Sequence, residues 1–257
     1  MAERIATQQR QFIAMLSHEV RTPLAVIDAT TQLFELRLQH DPAQLALLGR
    51  IRRGTARLRN FFDNCLTIDR INNNNFTVQH YPVALTPLVL WAKKTAEILS
   101  EQHACEVHIK PDLPALQGDQ VLLRILLMNL LTNALKYSPA QSTVTLRLDR
   151  CPNDPGVCSI EVEDQGPGIP PDEISIIFNH YKRGRAAQRI PGAGLGLAPV
   201  ARIAILHGGA VRLDSEPGKG ARFVVNIPFV SHHLPQMQQM ATTCNVMQPL
   251  ALPKSAS

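Results

Sequence analysis

Up to about residue 71 the apolar positions recur at helical spacing, and beyond it they fall into short alternating runs. Ile5, Phe12, Leu16, Val26, Leu33 and Leu36 predict one long helix over about 3–39, free of glycine, with Pro23 kinking it. Asp41-Pro42 is a restart signal, since Asp caps a helix and Pro is tolerated in its first turn. A second helix is then predicted to about Ile71, with Gly49 and Gly54 as mild internal defects and an asparagine run at 72–75 ending it. Leu48, Ile51, Leu58, Phe62 and Cys65 mark an apolar seam along it. A hairpin of two such helices cannot cover its own seam. Pairing two hairpins into a four-helix bundle does, which predicts a homodimer.

After residue 75 the pattern becomes strands alternating with helices. Strands are predicted near 76–80, at 105–109, at 143–149 and at 158–164, with helices over about 85–101 and 118–137. A last helix runs from Leu197 to a glycine stop at Gly208-Gly209, and strands at 210–215 and 221–228 flank the turn 216–220. The sum is an α+β two-layer sandwich with helices on one face, spanning about 82–230. Residues 231–257 lack any period and are expected to be disordered. The 257 residues therefore divide into a helical domain over 1–75, a sandwich domain over 76–230 and a tail over 231–257.

Composition narrows the function classes. The net charge of +5 is concentrated in the arginine-rich segment 50–59. Arg50, Arg53 and Arg57 share one helical face without interleaved aromatics, so a solvated helix surface is expected and nucleic-acid binding is not. The five cysteines form no CxxC pair, which argues against a zinc site or a disulfide framework. No apolar run approaches the ~20 residues of a spanning helix, and the first ten residues are not a signal peptide. A cytoplasmic protein, or the cytoplasmic part of a longer membrane receptor, is expected.

Three stretches carry candidate chemistry. His18 is followed by Glu19, and a neutral imidazole can attack phosphorus while a carboxylate polarises its other nitrogen. Taken alone, His18 reads as an ordinary surface histidine. A zinc-protease reading fails, because Thr22 stands where a second histidine ligand is needed. Asn129 and Asn133 share one face of an otherwise apolar helix. They either satisfy loops within the core or face a cleft, where amides suit Mg2+ and phosphate, with Lys136 and Tyr137 beside them for phosphate and sugar or base. Asp164 ends a strand before the turn containing Gly166 and Gly168, and is either a plain turn residue or an acceptor for an adenine amino group. Gly192, Gly194, Leu195, Gly196 and Leu197 lead into a helix and supply a phosphate cradle that is neither a P-loop nor a Rossmann fingerprint. Between them, 182–192 is basic: an ordinary surface loop, or a lid with Arg183 reaching the phosphates.

With these residues in hand, the chain resembles the transmitter region of bacterial sensor histidine kinases. His18 to Leu24 is similar to that family's phosphoacceptor box, Asn129 to Tyr137 to its N box, and Asp164 to Gly168 to its G1 box. Phe178 to Arg183 is similar to the F box, and Gly192 to Leu197 to the G2 box. The resemblance covers about 3–230. It implies a dimeric four-helix bundle followed by an ATP-binding domain of the Bergerat (GHKL) type. It implies that His18 accepts the γ-phosphoryl group of ATP, Glu19 acts as base, and Asn129 holds Mg2+. Asn133, Lys136, Tyr137 and Arg183 would then meet phosphate or sugar, Asp164 adenine, and Thr22 a water that removes phosphate from a response-regulator receiver domain. Two positions depart from the family pattern: Lys182 follows Tyr181 where a second aromatic is common, and Pro199 lies early in the helix after the G2 box. A GHKL ATPase of the gyrase or chaperone kind would explain only the second half, and a non-catalytic dimeric module would leave His18 and both asparagines without work.

Overall fold

Asp41 starts the best-defined element of the N-terminal half. Its Oδ1 accepts the backbone N–H groups of Ala43 and Gln44 at 3.0 and 3.1 Å, with Pro42 at the first helical position. The structure, a computed structural model, describes residues 20, 22–38, 41–72, 78–174, 176–178 and 197–230. Helix α1 (22–37) contains Pro23, and α2 runs over Pro42–Asn72 without a break at Gly49 or Gly54. Arg52 binds both oxygens of Glu35 at 3.1 and 2.8 Å, and Arg59 lies 3.6 Å from Asp28, so ion pairs fix the antiparallel register. The arginine segment is therefore only partly a solvated face. Arg50 and Arg57 are exposed, whereas Arg52, Arg53 and Arg59 are engaged in pairs.

The second unit begins with β1 (Tyr81–Val83), which pairs antiparallel with β3 (Leu116–Gly118). The strand predicted near 76–80 is thus displaced: 78–80 are not in a strand, and 76–77 lie outside the described residues. Two strands of three residues, one holding Pro82, are too short to leave an alternating pattern. The main sheet has the order β2-β4-β5-β7-β6, from β2 (Ala104–Ile109), β4 (Thr143–Cys151), β5 (Asp154–Asp164), β6 (Ala210–Ser215) and β7 (Ala221–Pro228). Only β2 and β4 run parallel, joined by the crossover that contains α4 (Gln120–Tyr137). Helices α3 (Leu85–Leu99) and α6 (Leu197–Leu206) pack beside α4, and a short α5 (Pro171–Ile174) follows β5.

The sheet divides by alternation, although Val224 and Ser159 on the face away from the helices are buried too. Val144, Leu146, Leu148, Ile160, Val162, Val225 and Ile227 point to the helices and are buried. The other face carries cross-strand ion pairs, Arg147 with Glu163 and Arg222 with Asp214. Helix α4 is apolar almost all round, which predicts burial on more than one side. The sheet lies under it, α3 and α6 touch it laterally, and α2 reaches it as well. Asp119 caps it, accepting from Val121 and Leu122 at 2.9 and 3.2 Å. Two of the five cysteines, Cys105 and Cys158, are buried free thiols, and burial pushes them up to about 11 and about 12. They are inert packing groups at ordinary pH.

Leu130 shows no exposed surface at the centre of this core. Leu130→Ala should cost about 2–5 kcal/mol of unfolding free energy, measured by urea denaturation of the full chain. A loss below ~1 kcal/mol would mean the core is not built around α4.

Candidate nucleotide site

The end of α4 and the turn after β5 meet at one place. A side chain at Gly166 would stand 3.0 Å from the Tyr137 carbonyl oxygen, and the Gln165 N–H points to the Ser138 hydroxyl at 3.4 Å. Lys136 lies over the Tyr137 ring at 4.8 Å, with its Nζ 3.2 Å from the phenol oxygen. Asn129 is buried and Asn133 half-buried on the same helix. Thus Tyr137, Asp164 and Gly166 lie together at the turn that includes Gly168, with Lys136 beside Tyr137 and with Asn133 and Asn129 one and two turns back along α4. Leu197, half-buried, opens α6 beside α4.

Asp164 is the electrostatic centre of this neighbourhood. It is 7 % exposed, and its Oδ1 accepts the N–H groups of Gly166 at 2.8 Å and Ala221 at 3.2 Å. Burial raises its pKa above the ordinary carboxylate value, and the two N–H donors partly offset that. Among the described residues Oδ2 accepts no hydrogen bond. A buried carboxylate with one oxygen held by backbone and the other left over can receive one external N–H donor. The exocyclic amine of adenine is such a donor.

The turn 216–220, which the sequence pattern marks only as a hairpin loop, holds this carboxylate in place. Gly168 has φ 71, and a Cβ there would stand 2.0 Å from the Glu216 carbonyl oxygen. Gly220 has φ 78, and its Cβ would stand 2.0 Å from the carbonyl oxygen of Asp164 itself. Only glycine permits such backbone approach. Ser215 completes the clamp: its hydroxyl accepts the Ile169 N–H at 2.9 Å and donates to the Gly220 carbonyl at 2.7 Å. The Gly218 N–H reaches the Pro167 carbonyl at 2.8 Å. The sequence pattern does not mark Ser215, Gly220 or Ala221 as site residues. The only local signal is the pair of glycines at 218 and 220.

His18, Glu19, Arg183, Gly192, Gly194, Leu195 and Gly196 lie outside the described residues, as do the rest of 179–196 and the tail over 231–257. Thr22 is exposed on α1, on the hairpin and not on the sandwich. The hairpin nevertheless touches the second unit. Arg53 of α2 pairs with Glu101, just beyond α3, at 2.5 Å, and Ala56 packs against the sandwich core. Among the described residues no helix is long and apolar enough to cross a membrane.

Comparison with known proteins agrees with both halves of the geometry. The family described as "His Kinase A (phospho-acceptor) domain" matches residues 8–74, and "Histidine kinase-, DNA gyrase B-, and HSP90-like ATPase" matches 118–231. The probable sensor histidine kinase TcrY of Mycobacterium tuberculosis is 31% identical over 222 residues, covering 85% of this chain and 46% of TcrY. This chain thus spans about half the length of that relative. A solved structure of the mycobacterial sensor histidine kinase MprB is 32% identical with a TM-score of 0.52, covering 58% of this chain and 97% of that one. Full-length ShkA, solved in complex with AMPPNP, is 29% identical with a TM-score of 0.59, covering 86% of this chain and 46% of ShkA.

Asp164→Asn separates holding the turn from reading a ligand. The amide oxygen still accepts from Gly166 and Ala221, but an NH2 group replaces the free oxygen. A carboxyl whose folded pKa is raised contributes stability that is fully present below its unfolded pKa and is lost as pH rises through the folded one. Asn has no such loss, so at pH 7.5 the variant should melt no lower than wild type. ATP affinity, read by calorimetry, should fall roughly ten- to a hundredfold, the worth of a charge-assisted hydrogen bond. Unchanged affinity would remove Asp164 from the site.

Proposed function

Because the chain belongs to the sensor histidine kinase family, joining that family's phosphoacceptor helices to its ATP-binding domain, we propose that it phosphorylates its own His18 from ATP. The observation that carries this reading is Asp164, buried and clamped through Oδ1, with Oδ2 left for a donor such as the adenine amine. That ShkA was solved with AMPPNP supports an ATP-type ligand at the equivalent fold.

Each residue then has a definite task. Asp164 reads adenine, and Gly166 and Gly168 let the backbone approach it. Tyr137 and Lys136 border sugar and phosphate. Asn129 and Asn133 offer hard amide oxygens of the kind Mg2+ prefers, and Asn129 is the proposed ligand. When bound, Mg2+ neutralises charge on the phosphate oxygens. Gly192, Gly194, Leu195, Gly196 and Leu197 are assigned to the phosphate cradle at the start of α6, and Arg183 to the charge on the moving group. The lone pair of a His18 ring nitrogen forms the new N–P bond while the bond from the γ-phosphorus to its bridging oxygen breaks. ADP leaves with that electron pair, and Glu19 takes the imidazole proton.

The phosphoryl group is then passed to an aspartate of a response-regulator receiver domain. Thr22 is assigned to orient a water that later removes it. We also infer a homodimer. Leu33 and Leu36 of α1 are 62% and 67% exposed, and Leu47, Ile51 and Leu58 of α2 are 55%, 47% and 50% exposed, so one hairpin leaves its seam uncovered. A second copy of the hairpin covers it as a four-helix bundle. A cytoplasmic site of action follows from the donor, ATP, and from the receiver.

Incubation with γ-labelled ATP should give acid-labile label on wild type and none on His18→Gln. Asn133→Ala should lower the labelling rate by roughly ten- to a hundredfold. Label that survives the loss of His18 would sink the assignment. Sedimentation should report a dimer for wild type, and Leu33→Glu with Leu58→Glu should shift it to monomer. A wild-type monomer at micromolar concentration would contradict the bundle.

A further inference from the structure

The nucleotide assignment leaves one fully buried ionisable group without a task. His207, the residue after α6, has no exposed surface. Its Nδ1 lies 2.8 Å from the Ile203 carbonyl oxygen, so Nδ1 carries the proton. Its Nε2 lies 3.0 Å from the backbone N of Asp119, so that nitrogen is the acceptor. Both partners together select one neutral tautomer. The titratable groups facing the ring among the described residues are His80, 6.1 Å away edge to face, and Asp119. Burial holds His207 below the ordinary histidine value, with the Ile203 carbonyl pulling the other way. A side chain at Gly118 would stand 2.7 Å from the imidazole, so the chain before α4 is shaped around the ring.

The placement of these bonds gives them consequence. Asp119 is the N-cap of α4, the helix that carries Asn129 and Asn133. His207 closes α6, whose other end is Leu197. Between them the helices touch, and Val200, Ile203 and Ala204 of α6 are buried in the same core as the leucines of α4; apolar packing of this kind fixes a separation but not a position along the axis. Hydrogen bonds are directional and do fix it. With α6 only ten residues long, a change at its end is carried about 15 Å to its start.

We propose that His207 is a positioning residue for nucleotide binding: it pins the far end of α6 to the N-terminus of α4, and so fixes the Leu197 end of α6 against the asparagine face. The proposal rests on the assignment of those two elements to the nucleotide. Loss of His207 leaves the Asp119 N–H without its acceptor and lets α6 shift, so the site must be assembled at the expense of binding.

The test uses the full chain and ADP as probe, with calorimetry for affinity and thermal melting to establish that each variant is folded. His207→Leu should weaken ADP binding on the order of tenfold, the consequence of one orphaned buried donor. His207→Gln, whose amide oxygen can still accept from Asp119, should recover most of that loss. A folded His207→Leu that binds ADP like wild type, or a His207→Gln no better than His207→Leu, overturns the proposal. Should His207→Leu fail to fold, nitrogen NMR of wild type decides: the His207 ring resonances should move on ADP saturation, and unmoved resonances overturn the proposal. Wild type that binds no ADP at all overturns the nucleotide assignment itself, and the proposal with it.

Discussion

One helix has to be buried on nearly every side and still carry two amides, the pair proposed to meet a polar ligand. That helix is α4, and the second unit is arranged around the conflict. Its leucines at 123, 126, 127, 130 and 131 are fully buried, so it cannot shift without opening the core. The same rigidity makes it a fixed rail for Asn129 and Asn133. A group meant to meet phosphate gains by being held before the ligand arrives, because ordering it afterwards would cost binding energy.

At the far side of the neighbourhood the constraint is backbone proximity. Asp164 pays for its burial with two N–H donors, one from its own turn and one from β7, and both fall on the same oxygen. That leaves the carboxylate half used. The turn 216–220 can crowd the Asp164 backbone only because positions 168 and 220 lack side chains. Adenine recognition, on this account, is built from a strand end, a neighbouring hairpin and the absence of two methyl groups.

Much of this was legible in the sequence for a physical reason. The second hairpin helix, the described part (22–37) of the first, the cap at Asp41 and the glycine stop of α6 follow from local periodicity and local turn chemistry, which a single chain segment displays by itself. Asn129, Asn133 and Asp164 stood out because they are polar where their surroundings are not. What stayed hidden depends on distant segments meeting. Asp164 and Ala221 are 57 positions apart, His207 and Asp119 are 88 apart, and Arg53 and Glu101 are 48 apart. Ser215 and His207 look like an ordinary strand end and an ordinary helix end until those segments are brought together. Strand β1 was misplaced for another reason: three residues cannot establish a period of two.

The helical hairpin, the other partner in the proposed reaction, is physically coupled to the sandwich through α2. On the proposed reading, the hairpin supplies the nucleophile and the sandwich supplies the activated phosphoryl group. The most direct measurement is phosphorus NMR of the wild-type chain after reaction with ATP, followed by mass-spectrometric mapping of the modified residue under neutral conditions. The account predicts a single phosphoramidate, mapped to His18. Phosphate on a serine or threonine hydroxyl, or ATP turned over to free phosphate with no modified residue, would contradict it.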